Sequence, residues 1–99
     1  MSEERVLAMI QETIDGLYKS ALIPAAVKVN VDTVLLGTGS PLDSLAFVTF
    51  IADLEDRLTR ESGREVSLVL SELHDFNTDV LYLSAGVVAR YVANLTSGN

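Results

Sequence analysis

Apolar residues in the first part of the chain recur at steps of three and four, the spacing that places them on one face of an α-helix. These positions are Val6, Leu7, Ile10, Ile14 and Leu17. Ser2 is a suitable cap for the first turn, where Glu3 and Glu4 lie at the positive end of the helix dipole. The pattern therefore predicts an amphipathic helix from Ser2 to about Lys19.

The clearest helical pattern begins at Ser44 and continues to about Ser62. Asp43 and Ser44 are both good capping residues, and Gly63 suits the position just beyond a helix end. Apolar residues form one broad face of this helix: Phe47, Val48, Phe50, Ile51, Leu54 and Leu58. The opposite face is predicted to carry Ala46, Thr49, Asp53, Asp56, Arg57 and Arg60, with Glu55 at the edge of the apolar side.

The segment between these two helices has no helical pattern. Pro24 and the turn residues of 37–41 favour a long ordered loop over residues 20–43. Within it, Val27–Asp32 alternates between apolar and polar residues, which predicts an extended conformation. We find no strand partner for this segment in the sequence and expect its valines to pack on the helices.

The last third of the chain contains one more clear helix. Ser84 is predicted to cap it, and it continues to about Leu95 with an apolar side of Val87, Val88, Tyr91, Val92 and Leu95. Residues 71–75 are predicted to form one short helical turn. The whole pattern predicts an all-α fold, a small four-helix bundle with a long ordered loop between helices one and two and a short irregular third helix. We expect a single domain over 1–99, with an ordered core of about 3–95.

The composition fits a small folded domain. The chain has 99 residues, of which 48% are hydrophobic and 21% charged. Its formal net charge of −7 disfavours nucleic acid and favours a partner with a basic surface. No apolar run approaches the roughly 18 residues of a membrane span, and the start has no basic region followed by an apolar run. We therefore expect a cytoplasmic protein without membrane insertion.

Few residues in this sequence could support catalysis. The chain has no cysteine, and His74 is its single histidine, with nothing in the spacing that brings it beside Ser44 and an orienting acid. Gly37 and Gly39 are not followed by the Gly-Lys-Ser/Thr of a phosphate-binding loop. The carboxylates fall mostly at the spacing of solvated helix faces. We predict neither an enzyme nor a metal site, and a hydrolase that uses Ser44 ranks last among the functions considered.

Ser44 is the residue with the most specific surroundings. It lies in the segment Leu42-Asp43-Ser44-Leu45, directly at the start of the clearest helix. The residue types alone indicate a helix cap. The segment also resembles the attachment motif of acyl and peptidyl carrier proteins. In that family the motif follows a long loop and a turn similar to Leu35-Leu36-Gly37, and the closing Arg90-Tyr91-Val92 resembles the family's last helix. The resemblance covers nearly the whole chain.

The resemblance implies that Ser44 carries a 4′-phosphopantetheine arm, installed by a separate phosphopantetheinyl transferase from coenzyme A with a metal ion. A phosphodiester at this position would lie at the positive end of a helix. The thiol of the arm holds an acyl or aminoacyl group as a thioester, so a chain without cysteine carries thiol chemistry without being a catalyst. The implied partners are the transferase, a loading enzyme and a downstream synthase or transferase, and we expect the carrier to be a monomer.

Two further sets of residues follow from the resemblance. A basic partner surface is expected to meet the partner-binding residues Asp43, Leu45, Asp53 and Asp56. The cargo is expected to shelter in a pocket beside Phe47, Phe50, Ile51 and Leu54, with the irregular stretch from Val69 to Leu83 as its softest wall. In the alternative, the two phenylalanine rings fill that space and the cargo stays in solvent.

The chain departs from the housekeeping fatty-acid carriers in two places. Ala46 stands two residues after the serine, where that subgroup usually has an acid, and Arg57 and Arg60 dilute the negative face. About five extra residues around 79–83 precede the final helix, either as a tolerated insertion or as a reshaped cargo or partner surface. These departures favour a specialised lipid, polyketide or peptide-type pathway. The alternative is a non-carrier acidic adaptor that shares the fold and binds partners through the apolar rim of the second helix.

Overall fold

The computed structural model describes residues 2–37, 40–68 and 83–96, which form three helices and one small sheet. In chain order these elements are α1 (Glu3–Lys19), β1 (Val34–Leu36), α2 (Ser44–Ser62), β2 (Leu83–Ser84) and α3 (Ala85–Thr96). The described part of the chain is therefore mostly helical, as predicted. The predicted short helical turn at 71–75, with His74 and most of the extra residues 79–83, lies outside the described residues.

Helix α1 is the centre of the packing, because α2 and α3 both pack against it. Ser2 caps its start as predicted, and the Ser2 hydroxyl accepts a hydrogen bond of 3.1 Å from the backbone N–H of Arg5. The buried side of α1 consists of Val6, Met9, Ile10, Thr13, Ile14 and Leu17. The predicted first helix is confirmed in both bounds and buried face, except that Leu7 is only half-buried.

An ion pair joins the end of α2 to the start of α1. The guanidinium of Arg5 donates hydrogen bonds of 3.0 and 2.9 Å to the two carboxylate oxygens of Glu61. The hydrogen bonds, as the larger cause, and the charge attraction, as the smaller one, lower the pKa of Glu61 and raise the pKa of Arg5. The pair therefore stabilises the fold above the ordinary pKa of a glutamate, and its contribution is lost as the pH falls through the lowered value.

The bounds predicted for α2 are confirmed, but its buried face is rotated from the predicted one. Asp43 caps its start, and Gly63 ends it in the left-handed conformation with φ of 73°. Its buried residues are Ala46, Phe47, Phe50, Leu54 and Leu58. Two placements were therefore wrong: Ala46, expected on the polar face, is fully buried, and Val48, expected in the apolar face, is 62% exposed.

The rotation follows from where α1 lies against α2. On a helical projection of 100° per residue, the buried arc is centred near Leu54, about 80° from Ala46 and about 120° from Val48. Alanine and valine are small and apolar enough to be either buried or exposed, so the residue types alone did not indicate which of the two faces the core. Leu95, expected on the apolar side of the final helix, is likewise 43% exposed.

The small sheet was not predicted. Strands β1 and β2 pair antiparallel, with Val34 opposite Ser84 and Leu36 opposite Leu83 and an irregularity between the two pairs. The expectation of a purely helical chain was wrong on this point, because strands of three and two residues are too short to show a period. The extended segment Val27–Asp32 forms no strand, and Val27 and Val29 pack against the core as expected.

The loop between α1 and α2 is tied by hydrogen bonds to α1 and α3. The side-chain amide of Gln11 donates to the carbonyl of Val27 at 2.8 Å and accepts from the N–H of Val29 at 2.7 Å. Further along, the carbonyls of Val31 and Thr33 accept hydrogen bonds from the first two N–H groups of α3. These are groups that a helix start leaves without partners within the helix, so the loop caps α3 together with Ser84, whose hydroxyl accepts from the N–H of Val87 at 3.3 Å as predicted.

The segment after α2 folds back along that helix. The N–H of Val66 donates to the hydroxyl of Thr59 at 3.1 Å, and the N–H of Leu68 donates to the carboxylate of Glu55 at 2.6 Å. Val66 and Leu68 are both buried. Glu55 therefore has a structural role at the edge of the apolar face, where the sequence places it. No helix within the described ranges is long and apolar enough to cross a membrane.

Candidate functional site

Ser44 is the first residue of α2 and is exposed to solvent. The preceding Asp43 is the cap: its carboxylate accepts a hydrogen bond of 2.8 Å from the N–H of Ala46, and its carbonyl accepts one of 2.9 Å from Phe47. The Ser44 hydroxyl forms no hydrogen bond with any described residue. Asp43 thus caps the helix, and the neighbouring Ser44 remains exposed with its hydroxyl accessible to a reagent.

The backbone around Ser44 offers hydrogen-bond donors. Asp43 satisfies the N–H of Ala46, whereas no acceptor in the described part of the chain takes the N–H of Ser44 or Leu45. Unpaired N–H groups at a helix start carry partial positive charge and favour an anion. A phosphate ester on Ser44 would stand next to both groups, so the residues present fit such a group.

The turn before Ser44 is held by a second serine. The hydroxyl of Ser40 donates to the carbonyl of Leu35 in β1 at 2.8 Å and accepts from the N–H of Leu42 at 3.0 Å. Leu42 is buried, which anchors the chain two residues before Ser44. Ser40 is only partly accessible and its hydroxyl is already hydrogen-bonded, so it is less accessible to a reagent than Ser44. The sequence did not indicate this role, because its acceptor lies in a strand that has no sequence signal.

Apolar side chains are exposed next to the Ser44 hydroxyl. Leu45 is 65% exposed and Val48 is 62% exposed. Val48 is one helical turn beyond Ser44, so it lies on the same side of α2. Leu45 is exposed as its assignment to a partner surface requires, and Val48 extends that surface although it was assigned to the core. Large apolar side chains at this level of exposure are typical of a binding surface when they are adjacent.

The acidic residues predicted to bind a partner differ in their surroundings. Asp43 is engaged as the cap, and Asp53 is exposed. Asp56 forms an ion pair with Arg60 at 2.9 Å, one helical turn along the same face. The negative charge on this face is therefore weaker than the count of carboxylates suggests, because an arginine of the same helix faces one of them.

The four residues predicted to shelter a cargo are part of the core. Phe50 and Leu54 are fully buried, Phe47 is 4% exposed and Ile51 is half-buried. The two rings lie 6.2 Å apart at 31° to each other. A surface cavity of about 390 Å³ lies elsewhere, lined by Arg64, Glu65, Val66, Ser67, Leu95 and Thr96. The cargo pocket stays a prediction, and its proposed soft wall, 69–83, lies outside the described residues except for Leu83, which is buried.

The described residues include no group of three or more histidine, cysteine or carboxylate side chains that could hold a metal ion. Comparisons with protein-family models, with curated proteins and with solved structures find no match for this chain. Its function is therefore inferred from the site itself, from Ser44, its helix start and the surface around it.

Proposed function

We propose that this chain is a cytoplasmic acyl carrier protein that bears a 4′-phosphopantetheine arm on Ser44 and presents a thioester-linked acyl or aminoacyl group to partner enzymes. The observation that carries the proposal is that Ser44 is exposed at the capped start of α2, with a hydroxyl that bonds to no residue in the described ranges. The Leu-Asp-Ser-Leu sequence around it resembles the attachment motif of such carriers. The short third helix of the expected four-helix bundle is predicted at 71–75, which lies outside the described residues.

The chain's own residues would contribute position and charge, not catalysis. Asp43 holds the first turn of α2 in place, and the N–H groups of Ser44 and Leu45 would face the phosphodiester. The arm would supply a thiol, which a chain without cysteine lacks. A transferase would join the Ser44 oxygen to the phosphopantetheine phosphorus of coenzyme A, and the nucleotide part of coenzyme A would leave.

The setting of Ala46 supports a specialised pathway over the housekeeping one. Ala46 is fully buried against the core. An acid at this position, usual in the housekeeping carriers, would have to be buried, which is costly unless hydrogen bonds compensate. Alanine fits this buried position without that cost, and partners that need the acid would not recognise this surface.

A second candidate function is favoured by the exposed pair Leu45 and Val48. An apolar surface of this kind can bind a partner without any prosthetic group, as an adaptor does. The adaptor and the carrier share this surface, and they differ in whether Ser44 is chemically modified.

One measurement distinguishes the two candidates. The protein is incubated with coenzyme A, magnesium and a broad-specificity phosphopantetheinyl transferase, and its intact mass is recorded. The mass is expected to rise by one phosphopantetheine group, and Ser44→Ala is expected to abolish the rise with unchanged helical circular dichroism. Ser40→Ala is the matched serine control and is expected to accept one group. Modification at Ser40 would overturn the assignment of the arm to Ser44, and no modification with several transferases would favour the adaptor.

A further inference from the structure

Residues 65–68, which we call the strap, run along α2 in an extended form. Burial alternates along the strap: Val66 and Leu68 are buried, whereas Glu65 and Ser67 are exposed. The N–H groups of the two buried residues both donate to side chains of α2, at 3.1 and 2.6 Å. The two acceptors are one helical turn apart, about 6 Å along the axis, which matches the roughly 6.7 Å that two extended residues span. One edge of the strap is therefore paired with α2.

The other edge of the strap is unpaired. Successive residues of an extended chain turn their N–H and C=O groups to opposite edges, so those of Glu65 and Ser67 face away from α2. Neither of these two N–H groups bonds to a residue in the described part of the chain. An unpaired strand edge offers a row of hydrogen-bond donors and acceptors to a second extended chain.

The surface cavity of about 390 Å³ borders this unpaired edge. It is lined by residues 64–67 and by Leu95 and Thr96 at the end of α3, and by no residue of α2. Leu95 is 43% exposed, and the hydroxyl of Thr96 already donates to the carbonyl of Val92 at 2.8 Å. The volume lies within the roughly 300–1,000 Å³ of protein binding pockets, so a large apolar side chain can be held against Leu95.

An extended segment of another protein matches this edge and its cavity. Backbone pairing holds such a segment whatever its sequence, and the cavity adds a preference for one apolar side chain. The rim charges of Arg64 and Glu65 are opposite, so neither sign is favoured locally. The net charge of −7 of the whole chain favours a segment with basic residues, and it disfavours a second copy of this chain, which carries the same charge.

We propose that the strap and the cavity together bind an extended, basic segment of a partner protein. The segment adds a strand to the unpaired edge of the strap and places one apolar side chain beside Leu95. Ser44 lies at the other end of α2, roughly 27 Å from Ser62 along the axis at a rise of about 1.5 Å per residue. A bound segment therefore leaves the surface around Ser44 uncovered, and the binding does not depend on a modified Ser44.

The test uses the unmodified ¹⁵N-labelled protein and two synthetic peptides with the same side chains and the same charge. The first is acetyl-Lys-Val-Lys-Leu-Lys-Val-amide, and the second has a methyl group on every backbone nitrogen, so that it cannot donate to a strand edge. The first peptide is expected to shift the amide signals of Glu65 and Ser67 and to slow their hydrogen exchange. The methylated peptide is expected to bind at least about fivefold more weakly, by loss of backbone hydrogen bonds.

Two matched pairs of variants test the two parts of the site. Ser67→Pro removes an N–H that has no described partner at an exposed, extended position, and Ser67→Ala removes only the hydroxyl. The first is expected to weaken binding of the unmethylated peptide at least about fivefold, and the second less than about twofold. Leu95→Ala is expected to weaken it at least about threefold by loss of apolar contact, whereas Leu36→Ala truncates a leucine of similar exposure elsewhere and is expected to leave binding unchanged.

Three outcomes would overturn the proposal. Equal binding of both peptides would mean that charge holds the peptide and backbone pairing does not. Binding that Leu95→Ala leaves unchanged, with amide shifts confined to α2, would place the peptide outside the strap. Shifts at Glu65 and Ser67 that grow with protein concentration without any peptide would assign the edge to a second copy of this chain. Circular dichroism shows whether each variant is folded, and if Ser67→Pro is not, the methylated peptide and Leu95→Ala decide.

Discussion

At the scale of single residues, the serine before α2 and the serine at its start have different structural roles. Ser40 has its hydroxyl engaged on both sides, in bonds that join β1 to the chain just before the helix. Ser44 is exposed, and its hydroxyl bonds to none of the described residues. On the proposed function, a modifying enzyme would therefore find one serine that is accessible and a neighbour that fixes its position.

This division predicts that Ser40 is a positioning residue for Ser44. Ser40→Ala leaves the N–H of Leu42 and the carbonyl of Leu35 without a partner, which is expected to cost about 1–3 kcal/mol of stability. The loosened turn is also expected to lower kcat/KM for transfer of phosphopantetheine to Ser44 by roughly tenfold, measured where the variant is fully folded.

Ser62 offers the matched control for this prediction. Its hydroxyl accepts from the N–H of Arg64 at 3.2 Å and donates to the Arg64 carbonyl, a comparable turn at the opposite end of α2. Ser62→Ala should leave the transfer rate to Ser44 unchanged, while Ser40→Thr, which keeps a hydroxyl, should restore most of it. Equal slowing by Ser40→Ala and Ser62→Ala would show that only general stability is involved.

At the scale of elements, the loop between α1 and α2 behaves as a part of the core and not as a free connection. Gln11 holds it from one side and the start of α3 from the other. The contact with α3 is close enough to need a glycine. A Cβ on Gly86 would lie 2.8 Å from the carbonyl oxygen of Val31, inside the normal contact distance.

Two glycine-to-alanine changes are therefore predicted to have opposite effects. Gly86→Ala forces the loop and α3 apart and is expected to lower the free energy of unfolding by about 1–3 kcal/mol. Gly16→Ala places its Cβ in ordinary contact, 3.7 Å from Arg57, inside α1. It is expected to raise the free energy of unfolding by about 0.5–1 kcal/mol, because alanine is favoured over glycine within a helix. Urea denaturation of the three proteins checks both signs, and a neutral Gly86→Ala would contradict the close contact.

At the scale of the whole molecule, the helices could be predicted from the sequence and the links between them could not. Periodic apolar positions and capping residues such as Ser2, Asp43 and Gly63 act locally, so they indicate where α1 and α2 begin and end. The roles of Gln11 and Ser40 depend on backbone atoms that are distant in sequence. No pattern of residue types reports such a bond.

The candidate site, like the fold, was predictable only where local sequence signals determine it. Ser44 at a helix start follows from local signals, and so does the exposed Leu45 beside it. The burial of Ala46 and the exposure of Val48 depend on how α2 is oriented in the folded chain. The apolar period of α2 alone does not give that orientation. The pairing of Asp56 with Arg60 is at helical spacing and could have been found from the sequence, as a common pair at four residues.

The response of the whole domain to its cargo is a further prediction, which rests on the proposed function. Loading acyl groups of increasing length onto Ser44 should raise the thermal midpoint until the space beside Phe47, Phe50, Ile51 and Leu54 is filled. Burial contributes about 0.8 kcal/mol per CH₂, less the cost of parting packed side chains. Differential scanning calorimetry of the loaded series measures this, with the same acyl-pantetheine added free to Ser44→Ala as the control. A flat or falling midpoint would mean that the cargo stays in solvent, and would favour a short polar or aminoacyl group.

The pairing of β1 with β2 has a consequence for how the protein matures during synthesis. About fifty positions separate Val34 from Ser84, so this contact closes late among the contacts of the domain. The bonds from Ala85 and Gly86 to the loop can form only after those residues have left the ribosome. Until then β1 has no strand partner. Ser40 holds the turn before Ser44 through a hydrogen bond to β1, so this turn is not yet fixed in position. A nascent chain that has exposed Ser44 but not yet β2 therefore presents an immature site, and on the proposed function we expect Ser44 to be modified efficiently only after β2 has emerged.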